Sequence, residues 1–164
     1  MICSFFGHSK IEVTDNLREK VEKEVDRLVA AGVDRFLFGS KSEFNSLCYE
    51  VVSKVKEKKP NITRVYVRGE YAYLDDDEWA KYCHGYEESV LPDRCKNAHR
   101  AAYVERNQYM IEKSDICVFY YNSEYVPPAK QGKLFARTRN SGTKIAYNYA
   151  LKLNKQIVNL FEKI

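Results

Sequence analysis

Short apolar segments alternate with amphipathic helical patterns along most of this chain, and that alternation restricts the fold more than any other feature. Five of these segments have the length and apolar content of buried strands, at residues 2–6, 35–38, 63–67, 116–121 and 156–160. Strands that alternate with helices are joined by right-handed crossovers and form a parallel sheet. The sequence therefore predicts an α/β fold, a Rossmann-like three-layer sandwich with a mainly parallel sheet of about five strands.

Hydroxylated residues mark the starts of three of the predicted helices. Thr14, Ser42 and Ser141 each stand where a side-chain oxygen could accept a free N–H group of a first helical turn. The first helix has apolar residues at helical spacing, namely Leu17, Val21, Val25 and Leu28. Gly32 follows this pattern and is placed to end the helix.

Residues 68–100 interrupt the regular pattern. No hydrophobic period is kept for long in this segment, which also contains an acidic run at 75–78. Its aromatic residues include Tyr71, Tyr73, Trp79, Tyr82 and Tyr86. A long irregular segment in a compact domain is often a binding loop or a lid. We therefore expect a single domain over residues 1–164, with an aromatic-rich, lid-like segment at about 68–100 that covers the base of a ligand.

Charge, hydrophobic runs and cysteine content narrow the class of protein. The formal net charge of +4 suits an anionic small molecule but is too small to indicate nucleic acid, which we expect not to be a partner. No apolar run is long enough to span a bilayer, and the first residues lack the pattern of a signal peptide, so we expect no membrane association. Five cysteines cannot all pair, and Cys3 and Cys117 fall in predicted strands. Reduced, buried thiols predict a cytoplasmic protein.

Small and polar residues follow the first two predicted strands. Gly7 and His8 come directly after the first strand, and Gly39 and Ser40 come after the second. Ligands of open α/β sheets bind beyond the carboxyl ends of the strands, where the strand order reverses. The sequence therefore predicts a ligand site at this edge. The glycines there either let the backbone approach the ligand or only permit a tight turn.

The triplet Ser141-Gly142-Thr143 opens the last predicted helix. Unpaired N–H groups and the helix dipole at such a start can bind phosphate, whereas the alternative is an ordinary N-cap followed by a permissive glycine. Arg106 lies on the preceding predicted helix and could present a fork of donors to the same anion. The alternative is a surface arginine that pairs with a nearby acid such as Glu105 or Glu112.

Two further side chains at this edge have a functional and a structural interpretation. Asn107 could bond a ribose hydroxyl or cap a neighbouring turn, and His8 could donate to a phosphate or be held by backbone contacts. The cysteines and histidines between residues 83 and 99 lack the spacing of recognised zinc ligands. We therefore predict no metal site and no cofactor.

Five motifs give the chain a resemblance to a known superfamily. They are F-F-G-H-S at 5–9, F-G-S-x-x-E-F-N at 38–45, Y-E-E-S-V-L-P-D at 86–93, R-N-Q-Y-M-I-E-K-S-D at 106–115 and K-Q-I-V-N-L at 155–160. In these motifs the chain resembles the SLOG superfamily, and within it the small YpsA-like (DUF1273) proteins. The resemblance implies a Rossmann-like fold, a nucleotide or nucleotide-derived ligand, and a homodimer.

The same superfamily includes the LOG-type phosphoribohydrolases, to which the chain is distantly similar. Their Arg-Lys-x-x-Met motif corresponds to residues 106–110, with Asn107 in place of the lysine. The Gly-Thr core of their phosphate turn corresponds to Gly142 and Thr143. The position of their catalytic glutamate is Ala146 here, and an alanine can neither stabilise an oxocarbenium-like centre nor activate water.

We interpret the chain as a protein that binds a nucleotide, a nucleotide sugar or an ADP-ribose-like molecule, as a sensor or by sequestering it. One alternative is an N-glycoside hydrolase, a phosphoribohydrolase-like enzyme acting on a nucleoside monophosphate. For that reaction Glu43, Glu87 or Glu88 would supply the missing carboxylate, although each could also be an ordinary solvated acid. A second alternative is a protein-interaction module without a small ligand.

Overall fold

The computed structural model describes residues 1–39, 42–69, 75–126 and 141–162, and strands and helices alternate through them. The strands are β1 (Ile2–Gly7), β2 (Arg35–Phe38), β3 (Thr63–Val67), β4 (Glu88–Val90), β5 (Ile116–Tyr120) and β6 (Gln156–Asn159). The α-helices are α1 (Asp15–Ala30), α2 (Glu43–Lys58), α3 (Asp76–Cys83), α4 (Ala102–Lys113) and α5 (Gly142–Lys152). Two short 3₁₀ helices, at Asp93–Cys95 and His99–Ala101, precede α4.

The strands form one parallel sheet in the order β4-β3-β2-β1-β5-β6. The chain adds strands outward from β1 on one side as far as β4 and then returns to the other side of β1 with β5. The strand order therefore reverses between β1 and β5, where Cys3 pairs with Ile116. The fold is a Rossmann-like three-layer sandwich, as the sequence predicts.

Two apolar clusters, one on each face of the sheet, form the core. Phe5 and Phe38 belong to the cluster packed by α1 and α2, whereas their chain neighbours Phe6 and Leu37 belong to the cluster packed by α4 and α5. Successive side chains of a strand point to opposite faces, so a strand buried on both faces must be apolar throughout. This is why the central strands read as continuous apolar runs.

The three predicted N-caps are confirmed. The side-chain oxygens of Thr14, Ser42 and Ser141 accept the N–H groups of the residues three positions later, at 3.2, 3.2 and 3.1 Å. Gly32 ends α1 with a φ of 96°, a left-handed conformation that favours glycine. Among the described helices, none is both long enough and apolar enough to cross a membrane.

In the described part of the chain the sheet has six strands rather than about five, and the additional strand is β4. It lies in the segment that the sequence predicts to be irregular, together with α3. The strand has three residues, of which Glu88 and Ser89 are exposed, so it shows no apolar run. The capping box of α3, formed by Asp75 and Glu78, is visible in the sequence and could have located that helix.

The lid-like role of the segment stays a prediction. Tyr71 and Tyr73, which would contribute to it, lie outside the described residues.

A substitution at Gly7 tests how closely α2 packs on the end of β1. A Cβ atom at Gly7 would lie 2.5 Å from the Cβ of Phe44, whose side chain is fully buried. We expect Gly7→Ala to lower the free energy of unfolding by about 1–3 kcal/mol through overpacking, measured by urea denaturation.

Gly142→Ala is the matched control. A Cβ atom at Gly142 meets no atom within 4 Å, so its free energy of unfolding should stay within about 0.5 kcal/mol of the wild-type value. Equal unfolding midpoints for the two variants would contradict the close packing of Gly7 on Phe44.

Candidate functional site

A partly open cavity of about 420 Å³ lies at the carboxyl ends of β1 and β2, beside the reversal of strand order. The turns after both strands, one face of α4 and the start of α5 line it. Eight of the nine predicted ligand-binding residues are among the lining residues: Gly7, His8, Gly39, Arg106, Asn107, Ser141, Gly142 and Thr143. The ninth, Ser40, lies outside the described residues.

Arg106 is a buried cation in the wall of this cavity, with 4% of its surface exposed. A Cβ atom at Gly39 would lie 2.7 Å from its Nε, and one at Gly69 would lie 2.7 Å from its Cβ. The side chain therefore packs directly against the turns at Gly39 and Gly69, where a Cβ atom would collide with it. Nε and Nη2 donate to the Oδ1 of Asn107 at 3.3 and 3.0 Å, which orients the guanidinium.

The packing also shows what Gly39 does within the protein. A side chain at this position would collide with Arg106 and with the Sδ of Met110, 2.6 Å away. Glycine is therefore required here by the side chains of α4, before any ligand is considered. The sequence could not separate this role from a close approach to a ligand, because both need a missing Cβ.

The start of α5 forms the opposite part of the lining. Ser141 Oγ accepts the N–H of Lys144, while the N–H groups of Gly142 and Thr143 have no intrahelical acceptor in the described chain. These groups and the helix dipole favour an anion. Space is open around Gly142, and its φ is not positive, so neither sterics nor backbone conformation requires glycine there.

His8 is held rigidly at the end of β1. Its ring stacks on Tyr125 with a centroid separation of 3.8 Å, and Asn122 N–H donates to Nε2 at 3.0 Å. Burial lowers the pKa of His8 to about 4, so the ring is neutral at pH 7. Nε2 also lies 3.2 Å from the carbonyl oxygen of Asn122, so it can accept the N–H of that residue or donate to its carbonyl, while Nδ1 is buried and has no hydrogen-bond partner among the described residues.

Several lining residues were missed by the sequence analysis, notably Asn45, Tyr103 and Tyr125. Tyr103 could have been found, because it lies one helical turn before Arg106 on α4 and therefore shares its face. Asn45 stands three residues after the Ser42 cap and is almost fully buried. Tyr125 follows β5 by a loop whose path no local pattern predicts.

Glu87 and Glu88 do not lie at the cavity, in contrast to the expectation. They stand at the amino end of β4, which runs parallel to β3, so they belong to the opposite edge of the sheet. Arg64 Nη2 donates to Glu87 Oε1 at 2.7 Å, and this pairing lowers the pKa of Glu87 to about 2. The Arg35 guanidinium forms two hydrogen bonds with Glu88. Both acids hold the edge strand in place.

Glu43 also lies outside the lining of the cavity. Its carboxylate accepts the backbone N–H of Ile11 at 2.6 Å, which lowers its pKa, and it pairs with Lys10 at 3.4 Å. It therefore fixes the loop after β1. Ala146, at the position of the LOG-type glutamate, is buried in the core between α5 and the sheet. None of the three candidate acids is among the residues that line this cavity.

Comparisons with known proteins show a similar fold. No family model matches the chain, and no curated protein matches it. Among solved structures, the fold is similar to that of DNA processing protein A from Helicobacter pylori, known for its single-stranded DNA binding mode. The TM-score is 0.57 at 12% sequence identity, and the match covers 98% of this chain and 66% of that protein. At this identity the match shows the fold alone.

The structural comparison contradicts two predictions. The prediction of a nucleotide, nucleotide-sugar or ADP-ribose-like ligand is wrong, because the protein that shares this fold is described by its binding of single-stranded DNA. The exclusion of nucleic acid as a partner is wrong for the same reason. That exclusion used the net charge of the whole chain, which does not report the charge at one cavity.

The buried His8 predicts a pH-dependent stability. An unfolded histidine takes up a proton as the pH falls below about 6.5, whereas folded His8 does so only near pH 4. The free energy of unfolding should therefore fall as the pH decreases from about 6.5 to 4, with His8 contributing up to about 3 kcal/mol. In His8→Gln this contribution is absent, so urea denaturation at several pH values should show a shallower pH profile.

The exposed His84 provides the matched control, because His84→Gln removes an imidazole from the surface and leaves the buried ring in place. The pH profile of this variant should be steeper than that of His8→Gln. Parallel profiles for the wild type and His8→Gln would show that burial of His8 does not affect its protonation.

Proposed function

We propose that this chain binds single-stranded DNA through the cavity at the carboxyl ends of β1 and β2. The proposal depends on one observation, which is that three features suited to a nucleic-acid strand line the same cavity. A buried arginine on α4, the open N-terminus of α5 and an exposed tyrosine line one cavity. Proteins that bind single strands combine positive groups for the backbone with aromatic rings for the bases.

The phosphate would lie between Arg106 and the start of α5. The guanidinium offers planar donors that suit a phosphate, and the N–H groups of Gly142 and Thr143 offer further donors. Because Arg106 is held by Asn107 and by the two glycine turns, little side-chain entropy is lost when an anion binds. Open space at Gly142 lets a phosphate oxygen approach the backbone closely.

The sequence between two of the lining residues is positively charged, which supports an anionic polymer. Residues 127–140 connect the lining residues Tyr125 and Ser141 in sequence, and they include Lys130, Lys133, Arg137 and Arg139 but no acidic residue. Positive charge of this kind attracts a phosphate backbone and makes binding depend on salt. A concave cavity of about 420 Å³ admits one nucleotide of a flexible strand, whereas a rigid duplex cannot enter it.

The structural neighbour supports the proposal at the level of the fold. It is described as a single-stranded DNA-binding protein, and nearly the whole of this chain superimposes on it. This chain spans 66% of the length of that protein. The proposal therefore does not extend to what the rest of that protein does.

Two predictions from the sequence remain proposals. Membership of the SLOG superfamily is supported by the Rossmann-like fold and by the motif residues Arg106 and Asn107, which line the cavity together with Gly142 and Thr143. A single domain over residues 1–164 is supported by the one sheet to which both ends of the chain contribute strands.

Fluorescence anisotropy with a labelled oligothymidine of about 16 nucleotides tests the proposal. Wild-type protein should bind it, with weaker binding to a duplex of the same length. Arg106→Ala should weaken binding by about 10- to 100-fold, because a charge-assisted hydrogen bond is lost. The slope of log K against log salt concentration, measured between about 50 and 200 mM, should become shallower by about 0.7 for the lost phosphate contact.

Arg94→Ala is the matched control, because Arg94 precedes the same helix but pairs with Glu112 outside the cavity. It should retain wild-type affinity. Gly142→Ala gives a second test that does not disturb a buried side chain, and it should weaken binding several-fold at unchanged stability. If the wild type does not bind the oligonucleotide, or if both cavity variants bind as the wild type does, the proposed function is wrong.

A further inference from the structure

We propose that Tyr103 is the platform on which one base of the bound strand stacks, next to the phosphate held at Arg106. This inference rests on the proposed function. It assigns the phosphate of the bound DNA to Arg106 and the adjacent base to Tyr103. Tyr103 lines the cavity and is 48% exposed. Among the exposed large apolar side chains of the described residues, it alone lines the cavity.

An exposed ring that lines a cavity can contact a ligand that enters the cavity. One side of the Tyr103 ring interacts with Arg106, whose Cζ lies 5.2 Å from the ring centroid. This cation–π contact orients the ring, and the exposed part of its surface remains available to a base. Every base has a flat π surface, so such a platform accepts any sequence.

The helical spacing fixes the ring relative to the charge. Tyr103, Arg106, Asn107 and Met110 stand at successive positions of one face of α4, and all four line the cavity. Met110 is fully buried and anchors this face in the core. The ring and the guanidinium therefore belong to one rigid surface, on which a base and its neighbouring phosphate can bind together.

Tyr125 is less suited to the same role. Its ring stacks face to face on His8 at a centroid separation of 3.8 Å, its hydroxyl oxygen is buried, and its side chain is only partly exposed, whereas Tyr103 is 48% exposed. A ring held in this way forms part of the wall. The comparison of the two tyrosines therefore assigns the stacking position to Tyr103.

The test replaces the ring and keeps apolar bulk. Tyr103→Leu should weaken binding of the oligothymidine by about 5- to 100-fold, because stacking of one base is lost. Tyr103→Phe keeps the ring and should stay within about twofold of the wild type, and Tyr103→Trp should bind at least as tightly. The salt dependence should remain that of the wild type in all three variants, since no phosphate contact is removed.

Stacking itself is read from strands that contain 2-aminopurine, moved through the oligonucleotide one position at a time. Its fluorescence falls on stacking. At one position it should therefore be quenched by the wild type and by Tyr103→Phe, but not by Tyr103→Leu.

Tyr109→Leu is the matched control, because Tyr109 lies on the same helix, has Lys113 5.7 Å from its ring centroid and does not line the cavity. It should bind and quench as the wild type does. If Tyr103→Leu also binds and quenches as the wild type does, the stacking role is wrong while the proposed function stands. If the wild type fails to bind any single strand, both are wrong.

Discussion

The burial of Arg106 is the constraint on which the structure around the cavity depends. An arginine is tolerated at a buried position only when its aliphatic stem is packed and its N–H groups are hydrogen-bonded. The turns at Gly39 and Gly69 supply the packing, since a side chain at either position would occupy the space of Arg106. Asn107 accepts two of its N–H groups. The position of the charge is therefore set jointly by α4 and by the turns that follow β2 and β3.

The topology of the sheet places an opening beside this charge. Because the strand order reverses between β1 and β5, the connections on the two sides of β1 diverge and leave a crevice at the carboxyl edge. The start of α5 lines the same cavity. Both apolar clusters continue up to this edge, and Met110 and Phe44 reach the turns that line it. The crevice is thus bounded by side chains of the core.

The accuracy of the sequence analysis differed between the central strands and the edge of the sheet. Thr14, Ser42 and Ser141 were identified as caps because a cap depends on residues within one helical turn. The edge strand β4 was missed because its pairing with β3 and its ion pairs, such as that of Glu87, join residues far apart in sequence. Because β4 was missed, Glu87 was expected to face a ligand. The ligand class was wrong because it followed from a resemblance and from the net charge, and neither describes one cavity.

The sequence by itself determined the alternation of strands and helices, the parallel sheet and the edge at which the cavity lies. Apolar periods, caps and glycine turns are local signals, and they suffice for this much. Only the tertiary structure decided that Arg106, Tyr103 and the start of α5 share a cavity, and that the candidate acids do not. The physical reason is that strand order and side-chain packing depend on contacts between distant residues. No local pattern specifies which of these residues meet.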